Sequence, residues 1–119
     1  MAKIMVVDDA AFMRMKVSKL LMELGHQVVE VDNGKNALEK YKLEKPDVVL
    51  MDITMPEMDG ITAVKELKLI NPDVKIAMLS AMGQQQMVIE AIKAGAKDFV
   101  LKPFQTEKLV SVLTRLLNA

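Results

Sequence analysis

Val48-Val49-Leu50-Met51-Asp52-Ile53-Thr54-Met55-Pro56-Glu57-Met58-Asp59-Gly60 is the stretch whose reading decides the fold. Its first residues form an unbroken apolar run, too short for a buried helix and suited to a strand covered on both faces. The run stops at a carboxylate, Asp52. Pro56 and Gly60 then punctuate a loop before a helical pattern begins. Asp52 is therefore expected at the carboxyl end of a buried strand, with its side chain at the sheet rim, where open parallel sheets bind ligands. An Asp after a strand is more often a turn former or helix cap. Here the next helix starts only near Gly60, too far on for Asp52 to cap it.

The same alternation runs outward in both directions. Lys3-Ile4-Met5-Val6-Val7 reads as a buried strand ending at Asp8-Asp9. From Ala10 a helix carries Val17, Leu20, Leu21 and Leu24 on one face and stops at Gly25. Gln27 to Val31 is a more polar strand, expected at an edge. Asp32-Asn33-Gly34 turns the chain into a helix marked by Ala37, Leu38 and Tyr41, which Pro46 ends. The decisive strand covers Asp47 to Met51, and the helix after it runs from about Gly60 to Ile70 on Ile61, Val64 and Leu67. Lys75 to Leu79 is a strand ending at Ser80. A helix from about Gln84 to Ala94 is closed by Gly95. Lys97 to Leu101 is the last strand, ending at Lys102-Pro103. Thr106 can cap a final helix with Leu109, Val112, Leu113, Leu116 and Leu117 on its buried stripe. Five strand–helix units predict an α/β fold: a doubly wound parallel sheet, helices on both faces, all strand carboxyl ends at one edge. No linker or low-complexity tract divides residues 1–119, so one domain is expected.

Composition narrows the function. A chain of 119 residues can bury roughly two-thirds of its unfolded surface and needs no staple to fold. It has no Cys, which excludes thiolate chemistry and a disulfide framework. His26, the single histidine, sits between Gly25 and Gln27, where a solvated turn residue is expected rather than a zinc ligand. With 16 basic and 16 acidic residues the net charge is zero, so no nucleic-acid footprint is expected. No apolar run reaches membrane-spanning length and no signal-peptide layout opens the chain, which reads as cytoplasmic. Eleven Met beside one Tyr, three Phe and no Trp suggest a core filled by adaptable side chains.

Four strands hand over to polar residues: Asp8 and Asp9, Asp52, Ser80, and Lys102. A parallel sheet gathers them at one rim. Three clustered carboxylates resist joint ionisation unless a cation compensates. A hard divalent ion with oxygen ligands answers this, and Mg2+ suits few carboxylates and several retained waters. Lys102 adds a second positive charge. Asp52 can then act as a nucleophile toward a phosphoryl group, with Ser80 donating to a phosphoryl oxygen. Taken singly, each residue has a plainer reading as cap, turn residue or surface charge; their conjunction at one rim points to function.

At these motifs the sequence resembles the receiver domain of bacterial and archaeal response regulators, over its whole length. The matching segments are Asp8-Asp9, Met51 to Gly60, Ser80-Ala81 and Lys102-Pro103-Phe104. Asp8 to Met15 and Ser80 to Gln85 are similar to the stand-alone chemotaxis branch in particular. The resemblance implies a flavodoxin-like (βα)5 sheet of order 2-1-3-4-5 with no output domain. It implies Asp52 as phosphoacceptor, Lys102 contacting the phosphoryl group, and Mg2+ on Asp9, Asp52 and the Thr54 backbone carbonyl, with Asp8 acting mainly through water. It implies Ser80 and Phe99 as a switch pair, a cis Lys102–Pro103 peptide, and Thr54 and Met82 as positions tuning signal lifetime. The implied protein is a signalling phosphoacceptor rather than an enzyme. A CheA-like histidine kinase would phosphorylate it, and a flagellar motor switch or adaptor protein would read the face of the last two helices and the last strand, including Gly83, Gln86, Glu90, Leu101 and Arg115. A phosphatase is a further partner; nucleic acid and membrane are not, and a monomer is expected. The alternative is a phosphorelay intermediate serving a histidine phosphotransfer protein.

Two rivals share elements of this reading. A haloacid-dehalogenase phosphatase also uses an Asp nucleophile and Mg2+, but it needs an acidic residue two positions on, where Thr54 stands. A flavin module would bring a phosphate to the first loop, and Asp8-Asp9 would repel it.

Overall fold

The run Val48–Met51 is a strand with every residue buried, because a helical layer covers each face of the sheet. Around it the computed structural model, which describes residues 2–81 and 83–119, alternates strand and helix without interruption. The elements are β1 Lys3–Val7, α1 Ala11–Glu23, β2 Gln27–Val31, α2 Gly34–Glu44 and β3 Val48–Met51. They continue with α3 Gly60–Ile70, β4 Ile76–Ser80, α4 Gln85–Ala94, β5 Asp98–Leu101 and α5 Thr106–Leu117. All neighbouring strands pair in parallel, in the order β2-β1-β3-β4-β5. The expected doubly wound α/β fold and its strand order are both present. The polar strand β2 lies at an edge, where its outer backbone needs no ladder partner.

Side-chain alternation along the strands builds two cores. Met5, Val7, Val49, Met51, Ile76 and Met78 face α2, α3 and α4, where Tyr41, Val64, Leu67 and Ala91 meet them. Ile4, Val6, Val48, Leu50, Ala77 and Leu79 face α1 and α5, where Val17, Leu21, Leu109 and Leu113 meet them. The period of two in a strand sends successive residues to opposite layers, so a continuous apolar run feeds both.

Local signals set the helix ends. Asn33 caps α2 by accepting from the Asn36 amide at 2.7 Å, and Asp59 caps α3 by accepting from the Thr62 amide at 2.9 Å. Gly95 closes α4 with φ +128°, a conformation that L side chains rarely adopt.

Three expectations from the sequence need correction. Thr106 is the first residue of α5, and Gln105 occupies the cap position without a side-chain bond. Leu24 lies at the C-cap of α1 and is exposed, because the buried stripe ends one turn earlier at Leu21. His26 is not freely solvated: its ring is half-buried, and its Nδ1 is shielded from solvent without a hydrogen-bond partner. Elsewhere α1, β3, β4, α4 and β5 begin one residue later than the pattern suggests, which is ordinary fraying.

Candidate functional site

The rim is assembled by the last ladder bonds of the sheet. The Asp8 amide donates to Val31 O at 3.1 Å, Asp52 N to Val7 O at 3.0 Å, and Lys102 N to Ser80 O at 2.9 Å. Each of these residues is thus held one step beyond its strand, with the backbone fixed and the side chain beyond the core. In register, Val7 pairs with Met51, so Asp8 and Asp52 follow side by side. Carboxylate oxygens of Asp8, Asp9 and Asp52 lie within 4.8 Å of one another.

Each side chain has a defined environment. Asp8 is buried; its Oδ1 accepts from the Ala10 amide at 2.9 Å and its Oδ2 from the Lys102 ammonium at 2.6 Å. Lys102 is nearly buried as well, so this ion pair is shielded from water. Asp52 is half-buried, and its Oδ1 accepts from the Ile53 amide at 2.8 Å. The Ser80 hydroxyl, wholly buried at the end of β4, lies close enough to Asp52 to favour its ionised form. Asp9 is exposed, and among the described residues its carboxylate takes no hydrogen bond. Burial raises the Asp52 pKa above its ordinary value; Lys102 opposes this, Asp8 adds to it, and the nearby Ser80 hydroxyl and the Ile53 amide oppose it.

One ammonium against three carboxylates leaves two negative charges uncompensated when all are ionised. Unit charges 4 Å apart near a protein surface interact by roughly 4 kcal/mol. The donor set is all oxygen, hard and open to solvent through Asp9, which fits a hard divalent cation with retained waters.

The structure brings Asp8, Asp9, Asp52, Ser80 and Lys102 together. Thr54 is exposed on the loop after β3, two residues beyond Asp52. The Lys102–Pro103 peptide is cis. Phe99 is half-buried in β5 and packs against the core on the α2–α3–α4 side. Gly83, Gln86, Glu90, Leu101 and Arg115 are all exposed, and Arg115 on α5 pairs with Asp98 on β5. A Cβ at Gly83 would meet Leu101 Cδ1 at 2.4 Å, so the segment before α4 and the end of β5 form one surface. Met82 lies outside the described residues. The sequence reading gave Arg14 no role, although it falls within the quoted Asp8 to Met15 segment. Its Nη1 donates to the Asp8 carbonyl oxygen at 2.7 Å. Gly60 does more than open α3: a Cβ there would sit 1.9 Å from the Asp52 carbonyl oxygen.

The doubly wound parallel sheet thus carries an acidic trio, a nearly buried lysine and a buried hydroxyl at its carboxyl rim. Residues 4–114 match the response regulator receiver domain, and the chain belongs to that family, the receivers of two-component systems. It is 57% identical to the chemotaxis protein CheY of Bacillus subtilis (strain 168) over 117 residues, covering 98% of each chain. It is also 57% identical to the chemotaxis protein CheY of Thermotoga maritima over 114 residues, 95% of each. A chain of the CheX–CheY–BeF3–Mg2+ complex from Borrelia burgdorferi superposes with a TM-score of 0.92 at 30% identity, covering 97% of this chain and 88% of that one. Among the described residues no helix is long and apolar enough to cross a membrane.

Proposed function

We propose that this chain is a cytoplasmic response regulator of chemotaxis or motility that takes a phosphoryl group on Asp52 from a CheA-like histidine kinase. The observation that carries this is the half-buried Asp52 carboxylate beside two further acids, the nearly buried Lys102 and the buried Ser80 hydroxyl. In the transfer an oxygen of Asp52 attacks phosphorus, the P–N bond to the kinase histidine breaks, and the imidazole leaves. Asp9, Asp52 and the Thr54 carbonyl would hold Mg2+, with Asp8 acting mainly through water. The ion, when bound, supplies positive charge beside the transferring group. Lys102, now on Asp8, is near enough to exchange that partner for a phosphoryl oxygen.

Signalling would begin when the Ser80 hydroxyl, buried at the end of β4, donates to a phosphoryl oxygen on Asp52. A hydrogen bond to a charged group contributes roughly 1.5–3 kcal/mol, enough to tip a two-state balance. Phe99, half-buried beside Ser80's strand, would then turn inward and reshape the face of α4, β5 and α5. A flagellar motor switch or adaptor protein would read that face, and a phosphatase would end the signal. The chemotaxis names of the relatives favour this use over a phosphorelay intermediate.

Acetyl phosphate and Mg2+ followed by intact-mass spectrometry test the reading. Wild type should gain one phosphoryl group, while Asp52→Asn or addition of a chelator should leave the mass unchanged. Equal labelling of Asp52→Asn would overturn it. Motor switch protein should be retained by the phosphorylated form more than by the unmodified one.

A further inference from the structure

Asp9 is the exposed member of the acidic trio, and among the described residues no hydrogen bond fixes its carboxylate. Its orientation must therefore come from its backbone. The Asp8 carbonyl and the Asp9 amide share one rigid plane, so whatever grips the carbonyl sets the platform from which Asp9 projects. That grip is Arg14. Its Nη1 donates to Asp8 O at 2.7 Å, and its Nε donates to Glu30 Oε1 on β2 at 3.2 Å. The Arg14 side chain is 18% exposed, so the clamp is largely shielded. A planar guanidinium can hold two acceptors in fixed directions at once, which an ammonium cannot.

We infer that Arg14, anchored by Glu30, is a positioning residue for the divalent-cation site: it holds the Asp8–Asp9 peptide so that the Asp9 carboxylate stays turned toward Asp8 and Asp52. The inference rests on the proposed Mg2+ site. The plainer role, tying α1 to β2, makes different forecasts. Electrostatics also opposes the inference in sign. Removing a positive charge beside a cation site should tighten cation binding, whereas loosening a ligand should weaken it.

The experiment is an Mg2+ titration of the full chain, followed by two-dimensional 1H–15N NMR. It compares wild type, Arg14→Gln, Glu30→Gln, Asp9→Asn and the Asp9→Asn/Arg14→Gln double variant. Arg14→Gln should bind Mg2+ about tenfold more weakly, the low end of the cost of losing a group that orients a metal ligand. Glu30→Gln should weaken binding by less. In the Asp9→Asn background Arg14→Gln should change nothing further, because the ligand it positions is already gone. Unchanged or tighter binding by Arg14→Gln overturns the inference, and so does a loss that persists undiminished without Asp9. Should Arg14→Gln fail to fold, Glu30→Gln decides, since Glu30 is exposed and its loss leaves the core intact; unchanged affinity there also overturns it. If wild type takes up no Mg2+, the cation reading itself falls, whereas normal wild-type uptake with an indifferent Arg14→Gln removes this inference alone.

Discussion

Asp52 is an acid held partly out of water, and burial is the largest cause of its raised pKa. A folded chain that protonates this group more readily than the unfolded chain binds more protons. Its stability therefore falls as pH rises through the folded pKa, and at neutral pH the charge is a net cost to folding. Asp52→Asn keeps the shape and removes the charge. In Mg2+-free buffer at neutral pH the variant should melt higher than wild type, and the gap should close as pH falls below the ordinary carboxylate range. Thermal melts by circular dichroism across that range check this; a lower melting temperature for the variant at neutral pH would contradict it. Much of the rim was legible residue by residue, because parallel strands end at one edge and Asp8, Asp9, Asp52, Ser80 and Lys102 each follow a strand. The choice of Lys102 for Asp8, and of Arg14 for the Asp8 carbonyl, was not legible. Long flexible side chains select among several nearby acceptors by distances that only the assembled rim defines.

The loop from β3 to α3 shows how an element carries a site. Gly60 N donates to Ile53 O at 2.7 Å, folding the start of α3 back onto the residues after Asp52. The approach is so close that a Cβ at Gly60 would lie 1.9 Å from the Asp52 carbonyl oxygen and 2.9 Å from Ile53 Cα. Both contacts are backbone, which cannot swing aside. Gly60→Ala should lower the melting temperature and slow phosphorylation by acetyl phosphate, since Asp52 must move. Gly83→Ala is the control. There the contact is the end of Leu101, which is 52% exposed and free to turn. Its melting temperature should stay close to that of wild type. If the two substitutions cost the same, the close approach at Gly60 has no energetic weight. Sequence pattern located the helix after Gly60 because periodic apolar residues announce α3, but it misplaced the cap of α5. Thr is a favoured cap type and Gln is not, yet it is Gln105 that stands outside the helix with extended backbone, so local conformation overrides the cap preference.

At the scale of the molecule, the sheet couples the rim to both cores. Asp8 and Asp52 hang from the central strands β1 and β3, whose alternate residues are shared between the α2–α3–α4 layer and the α1–α5 layer. Whatever relieves repulsion at the rim thus stabilises a single cooperative unit, and global unfolding reports on it. A ligand that binds only the folded chain adds about 2.7 kcal/mol at a hundredfold excess over its dissociation constant. For a domain of this size that is roughly 10 °C in melting temperature. Saturating Mg2+ should produce a rise of that order in wild type. Na+ at matched ionic strength should not, because the chain's 16 basic and 16 acidic residues leave no net charge for general screening to relieve. Asp9→Asn and Asp52→Asn should each lose most of the rise while keeping the fold, since Asp9 is exposed and Asp52 lies outside the apolar clusters. Asp52→Asn would then start above wild type without Mg2+ and finish below it with saturating Mg2+. That crossing separates a carboxylate kept for cation binding from one that merely tolerates its neighbours: a variant that stays above wild type at every Mg2+ concentration would show that the rim takes no cation on Asp52.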